Sequence, residues 1–111
     1  MDISLFKGII KSLVMDLSNK SYNKIKKEKI NGRVNIIELE NIIKEYGKTI
    51  IPLPEEAFNI ANIYNIERED RMNIYIPLWT KEEGRSDLTL SLICHLKNNK
   101  PTIEINDLEV L

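Results

Sequence analysis

Apolar residues recur every three or four positions through the first half of the chain and every second position through its last third, so the pattern predicts helices followed by strands. Ile3, Phe6, Ile9, Ile10, Leu13, Val14 and Leu17 form one stripe of an amphipathic helix, with Asp2 placed to accept from the free amides of the first turn. Ser18-Asn19-Lys20-Ser21 breaks that stripe, because short polar side chains compete for backbone hydrogen bonds. Tyr22, Ile25 and Ile30 suit one side of a short second helix through Lys24-Ile25-Lys26-Lys27-Glu28-Lys29. After the turn signal Asn31-Gly32, Asn35 and Glu38 stand at capping-box spacing, with Asn in place of the usual Ser or Thr. Ile36, Leu39, Ile42, Ile43 and Tyr46 then carry a third helix to Gly47, a residue able to take the left-handed conformation that closes a helix. Thr49-Ile50-Ile51 is expected to be extended, and Pro54 is expected at the first position of a short helical turn with Glu55, Glu56, Ala57 and Phe58.

The period changes after this. Asn62 to Glu67 reads as a strand, although Ile60, Ile63 and Ile66 would also suit a helical stripe. Glu67-Arg68-Glu69-Asp70-Arg71 is a charged turn before a strand from Met72 to Trp79, in which Ile74, Ile76 and Leu78 share one parity. Pro77 cannot donate to a ladder, so that strand is at an edge there, bulged there, or presents that position away from its neighbour. Trp79 to Leu90 reads as a hairpin loop, after which Leu88, Leu90, Leu92, Cys94 and Leu96 resume the alternation. The last strand runs from Thr102 to Leu111 after a turn at Asn98-Asn99-Lys100-Pro101. Ile103 and Ile105 have odd parity and Leu108 and Val110 even, so one extra residue near Asn106-Asp107 is needed to bring them to one buried face. Two or three N-terminal helices packed on a three- to four-stranded antiparallel meander make an α+β plan, one that nuclear-transport-factor-like and cystatin-like folds also use.

Length and charge narrow the classes. A chain of 111 residues fits one domain, residues 1–111, with enough apolar surface for a core of its own. With 16 basic and 17 acidic residues there is no field to recruit nucleic acid or an anionic membrane. The charge is mildly uneven: through Ile66 the chain carries ten basic and eight acidic residues, and beyond it six and nine. The single cysteine cannot form an internal disulfide and suits a reducing compartment, which makes the cytoplasm the expected location. No leader pattern opens the chain, and no apolar run approaches the length of a bilayer span. Ile, Lys and Asn are used heavily and Ala and Gly sparingly, as in proteins of AT-rich bacterial genomes.

Candidate chemistry is sparse. Gly84 is expected to supply a positive φ in the hairpin loop, with Asp87 bonding back to loop amides and Arg85 or Ser86 closing the turn. The competing role for Glu82, Glu83, Arg85 and Asp87 is a recognition surface held out by the sheet. Glu82 and Glu83 are adjacent and would diverge, so they make a poor acid/base pair. Trp79 is either a core anchor or an interface contact; its parity favours the face away from the helices and a half-buried structural role. Cys94 and His95 have opposite parity, which separates them and argues against a catalytic pair or a shared metal site. CxxC, HExxH, Walker, GxGxxG and GxSxG signatures are absent. No metal and no cofactor are expected.

Four stretches carry a resemblance: Tyr46-Gly47, then Pro52-Leu53-Pro54-Glu55-Glu56-Ala57-Phe58, then Leu78-Trp79-Thr80-Lys81-Glu82-Glu83-Gly84-Arg85-Ser86-Asp87-Leu88-Thr89-Leu90, and the tail Asn106-Asp107-Leu108-Glu109-Val110-Leu111. Over about its last two thirds the chain resembles a bacterial family of small domains of unknown function that share the middle segment and a similar tail. The resemblance implies a stand-alone α+β domain without established catalysis, associated with toxin-immunity neighbourhoods. The expected function is therefore a non-enzymatic protein that binds a protein partner, in its specific form a cytoplasmic immunity protein occluding the active site of a cognate bacterial toxin. Trp79, Glu82, Glu83, Arg85 and Asp87 are its expected contacts. The alternative is a small-ligand-binding or enzymatic domain with a pocket between helices and sheet, for which Tyr64 and Tyr75 are the polar candidates. Either a monomer or a homodimer packed through the Trp79 face is compatible with the pattern.

Overall fold

The computed structural model describes residues 2–111. A 3-10 turn at Ile3–Leu5 leads into α1 (Lys7–Ser18), so the first apolar stripe is divided at Phe6 rather than forming one helix. Asp2 caps the turn as expected, accepting from the Ser4 amide at 2.9 Å. The second helix, α2 (Tyr22–Lys27), is tied back to α1 where Lys24 Nζ meets the nearly buried Asp16 carboxylate at 3.1 Å. In α3 (Ile36–Tyr46) the Asn35 side chain accepts from the amides of Ile37 and Glu38, and Gly47 closes the helix at φ 74°. An Asn cap of this kind contributes about 1 kcal/mol, and the glycine takes a backbone conformation that a Cβ would strain.

The chain then passes from helix to sheet through β1 (Ile50–Ile51) and α4 (Glu55–Ile60). Pro54 stands one residue earlier than expected, as the extended residue before α4, where its missing N–H again removes no helical bond. Glu55 on α4 pairs with both Lys7 and Lys11 of α1, and the two ammonium groups lie 5.3 and 5.8 Å from the centre of the Phe58 ring. Strands β2 (Asn62–Ile66), β3 (Arg71–Thr80), β4 (Gly84–Lys97) and β5 (Lys100–Val110) form an antiparallel meander. Asn62–Ile66 is thus a strand and not a helical stripe.

The register explains which side of the sheet the helices cover. Met72, Ile74 and Ile76 stand across from Cys94, Leu92 and Leu90, which in turn face Ile103, Ile105 and Leu108. All are buried, in one cluster with Phe6, Ile10, Leu13, Val14, Leu17, Ile25 and Leu39 from the helices. Each fully buried Leu or Ile contributes roughly 1.5–3 kcal/mol of transfer free energy, so this face anchors the domain. On the opposite parity Arg71, Asn73, Tyr75, Ile93 and His95 are half-buried and reach solvent, whereas Pro77, Trp79, Thr89 and Ser91 further along the same strands are buried.

Two irregularities keep that face continuous. On β5 a single extra residue, Asn106, sits between the Ser91–Asp107 and Leu92–Ile105 pairs and turns both halves of the strand inward, as the parity change requires. Val110 does not share the buried face expected of it: it is 59% exposed at the end of the edge strand, with no further strand beyond it. On β4 the residues Ser86–Leu88 stand opposite Leu78 alone, between the Pro77–Thr89 and Trp79–Arg85 pairs. An even number of extra residues preserves the alternation, so Leu88 remains inside. Pro77 lies where the pairing of β2 with β3 has ended at Tyr75 and that of β1 begins at Trp79, a gap in which it interrupts no ladder on that edge.

Candidate functional site

The hairpin loop is much shorter than the polar segment suggests. Thr80 and Gly84 pair directly, leaving Lys81–Glu83 as the turn, and Arg85 to Leu90 already belong to β4. Gly84 has φ 74°, the left-handed residue that three-residue hairpins use. The two carboxylates diverge into separate partners. Glu82 accepts from the amide and the hydroxyl of Thr49, each at 2.8 Å, and these bonds hold its carboxyl below the usual glutamate range. Glu83 accepts from the Tyr46 hydroxyl at 2.9 Å and from the Thr80 hydroxyl at 3.0 Å. Burial and the Glu83 carboxylate raise the pKa of the Tyr46 phenol. Lys81 N–H adds a bond to Thr49 O at 2.9 Å, so the turn is clipped to the corner between α3 and β1.

The other expected contacts divide. Trp79 is only 9% exposed and belongs to the core cluster, more deeply placed than the half-buried position its parity suggests. Ser86 lies in the bulge, donating to Leu78 O at 2.7 Å and accepting from Leu88 N at 3.1 Å. Asp87 does not bond back to loop amides through its carboxylate; its own N–H donates to Tyr46 Oη at 3.4 Å and its carbonyl accepts from Leu111 N. Arg85 and Asp87 are exposed, and with Tyr75, Pro77, Thr89 and Leu111 they border a shallow cavity of about 170 Å³. Of the five residues, these two offer free surface on the sheet.

A second group of side chains comes together on the same side of the sheet, nearer the start of β3. Arg71 pairs across to His95, and His95 to Thr102; Asn73 pairs across to Ile93, and Ile93 to Glu104. These residues have the parity opposite to the buried row, so they line up over the uncovered face. The Ile30–Val34 loop closes one side: Ile105 N–H donates to Ile30 O at 2.7 Å, and Gly32 packs so near the strand that a Cβ would lie 2.8 Å from Ile105 O. That approach brings Arg33 to the group. Together Arg33, Arg71, Asn73, His95, Glu104 and Asn106 border a groove of about 330 Å³.

Hydrogen-bond satisfaction sets this groove apart. Asn106 Nδ2 donates to Ser91 Oγ at 3.3 Å, and Arg71 Nε stands 2.9 Å from a Glu69 carboxylate oxygen. The latter contact lies off the N–H direction, so Arg71 Nε is buried in an ion pair without a directed hydrogen bond. Asn73 Oδ1 is buried with no donor at all. Among the described residues the side chains of Arg33, His95 and Glu104 form no hydrogen bond or ion pair with the protein. Polar groups held in position without internal partners are able to take external ones. Nothing in the sequence singled out these residues; the readable signal was the polar parity of Arg71, Asn73 and His95, whose alignment with Glu104 needs the register.

Cys94 and His95 point to opposite faces, as their parity requires. Burial between Met72 and Ile103 pushes the Cys94 thiol up to about 12, which makes it an inert packing residue. Tyr64 and Tyr75 lie across β2 and β3 on the uncovered side, rings 5.7 Å apart and edge to face. They do not line a space between helices and sheet. Among the described residues no three His, Cys, Asp or Glu side chains stand close enough to hold a metal ion, and no helix is long and apolar enough to cross a membrane.

A family model described as Domain of unknown function (DUF7668) matches residues 14–111, nearly the whole of this architecture. No match was found among curated proteins, and none among solved structures.

Proposed function

We infer the function of this chain, which belongs to the DUF7668 family of domains of unknown function, from the sheet face that its helices leave open: it is a non-enzymatic binding protein for another protein. The observation behind this reading is a pair of buried polar atoms without a hydrogen-bond partner among the described residues, Arg71 Nε and Asn73 Oδ1, beside the solvent-reachable side chains of Arg33, His95 and Glu104, on a three-strand platform whose other side is anchored in the core. Rigid placement keeps the ordering cost of association low, and a mixed polar and aromatic surface is suited to a protein partner. Arg85 and Asp87 extend that surface towards the other end of β3, with Tyr64 and Tyr75 between. Glu82 and Glu83 fix the turn at that end through Thr49, Tyr46 and Thr80, and Trp79 packs into the core.

In its specific form the reading is that of a cytoplasmic immunity protein, which neutralises a bacterial toxin by covering its active site. The resemblance of the Leu78–Leu90 segment and the tail to a family of small bacterial domains of unknown function, associated with toxin-immunity neighbourhoods, motivates that form, and the open face supplies the surface it needs. Co-expression with the toxic product of a neighbouring gene tests it, by growth and by isolation of a stoichiometric complex. Protection that disappears in Arg71→Glu while the variant stays folded is the expected result; absence of both protection and complex in every pairing would overturn it. The alternative with a ligand pocket between helices and sheet has no support from Tyr64 and Tyr75, which stand outside that layer.

A further inference from the structure

We propose that the groove bordered by Arg33, Arg71, Asn73, His95 and Glu104 seats an acidic side chain of the protein partner, together with a backbone N–H next to it. This inference rests on the binding function above and names the chemistry of its contact.

The groove contains both donors and acceptors that no other group among the described residues engages, two of them, Arg71 Nε and Asn73 Oδ1, buried. On the donor side are the guanidiniums of Arg33 and Arg71 and the imidazole of His95; Arg71 keeps one face to Glu69 and has further N–H groups free. A planar carboxylate matches a guanidinium fork, and charge-assisted bonds of that type are about twice as strong as neutral ones. On the acceptor side are Asn73 Oδ1, buried without a donor, the Glu104 carboxylate, and Asn106, whose amide nitrogen is already engaged. Those acceptors would repel an inorganic phosphate or any ligand that only accepts. They need a donor within a few ångströms of the anion, an arrangement that an Asp or Glu side chain and the amides of its own backbone supply.

Size and shape agree. A volume of about 330 Å³ is at the small end of ligand sites and is open to the surface, so it accommodates a side chain and its flanking peptide while the rest of the partner stays outside. Glu104 in the lining and Glu69 beside Arg71 balance the two arginines in charge, so the match to an acidic residue rests on the guanidinium N–H groups of Arg33 and Arg71 that no acceptor among the described residues engages. Gly32 sets the position of Arg33, because only a residue without a Cβ fits against Ile105 O.

The test uses the intact chain, isotope-labelled, titrated with acetyl-Ala-Glu-Ala-amide and separately with its Gln counterpart, with amide chemical shifts as readout. The proposal expects shifts centred on residues 71–73, 93–95 and 104–106, and an affinity for the Glu peptide about tenfold above that for the Gln peptide, since a charge-assisted bond is at stake. Arg71→Gln and Arg33→Gln, each checked for an otherwise unchanged spectrum, are expected to remove most of that preference. Equal affinity for the two peptides, or shifts elsewhere on the molecule, would overturn it. Tighter binding of free glutamate or of inorganic phosphate at the same residues would overturn it in favour of a small-molecule site. Failure here with toxin protection intact removes the groove and leaves the binding function; success here without any protection does the reverse.

Discussion

The Lys81–Glu83 turn and the row formed by Arg71, His95 and Glu104 are both rich in ionisable side chains, and both lie on the β3–β4–β5 platform. In the turn, Glu82 and Glu83 have hydrogen-bond donors on Thr49, Tyr46 and Thr80, and Ser86 fills the bulge beside them. In the row, Arg33, His95 and Glu104 have no side-chain partner among the described residues, and Asn73 Oδ1 is buried with none. One cluster holds the fold together and the other is held by it. The difference lies in where hydrogen-bonding capacity is satisfied, and charge density along the chain does not report it.

The largest effect that separates the two regions is expected at Ser86. The residue is 4% exposed, and its hydroxyl joins Leu78 O to Leu88 N across the bulge. Ser86→Ala leaves both backbone groups without that bond, at a cost of about 1–3 kcal/mol. Urea denaturation should show a lower midpoint at an unchanged slope. A loss below about 0.5 kcal/mol would mean that the bulge is shaped by the strands and not by the hydroxyl.

A smaller loss follows from Tyr46→Phe, which removes the donor to Glu83 and the acceptor for Asp87 N–H. A single net hydrogen bond is worth about 1 kcal/mol, and solvent access lowers that here. The same clip carries a pH dependence. Thr49 lowers the folded-state pKa of Glu82 below its ordinary value of 4.5, so the stability from this group is fully present above that value and declines as the pH falls through the depressed one. Glu82→Gln should therefore flatten the acid limb of the stability curve, monitored by thermal unfolding between pH 6 and about pH 3. An unchanged acid limb would show that the Thr49 bonds do not persist in solution.

Much of the scaffold was legible in the residues. The Asn35 cap and Gly47 stop bound α3 because side-chain acceptors and positive-φ glycines act locally. The bulge at Asn106 followed from a parity change between Ile105 and Leu108, which any buried face must correct. Composition alone extends the hairpin turn to Trp79–Leu90, because Arg85, Ser86 and Asp87 are residues typical of a loop, whereas the β3–β4 ladder makes them strand. The role of Glu82 and Glu83 was hidden for a related reason: their donors Thr49 and Tyr46 are more than thirty residues away in the chain. The groove was least visible. Its members come from β3, β4, β5 and the loop before α3, and His95 acquires a setting only once register places it between Arg71 and Thr102.

The smallest expected effect on stability is the one that tests the contrast most directly. Arg33→Ala and His95→Ala remove side chains with no internal partner, so each should change the unfolding free energy by no more than about 0.5 kcal/mol. Both lie within 0.5 kcal/mol only if the groove is as independent of the fold as its hydrogen bonds indicate. A loss above about 1 kcal/mol at either position would place that side chain among the supports of the sheet, alongside Glu83 and Ser86. In that event the open face would contain a second structural clip, and its capacity for an external acidic group would shrink to what Arg71 alone can offer.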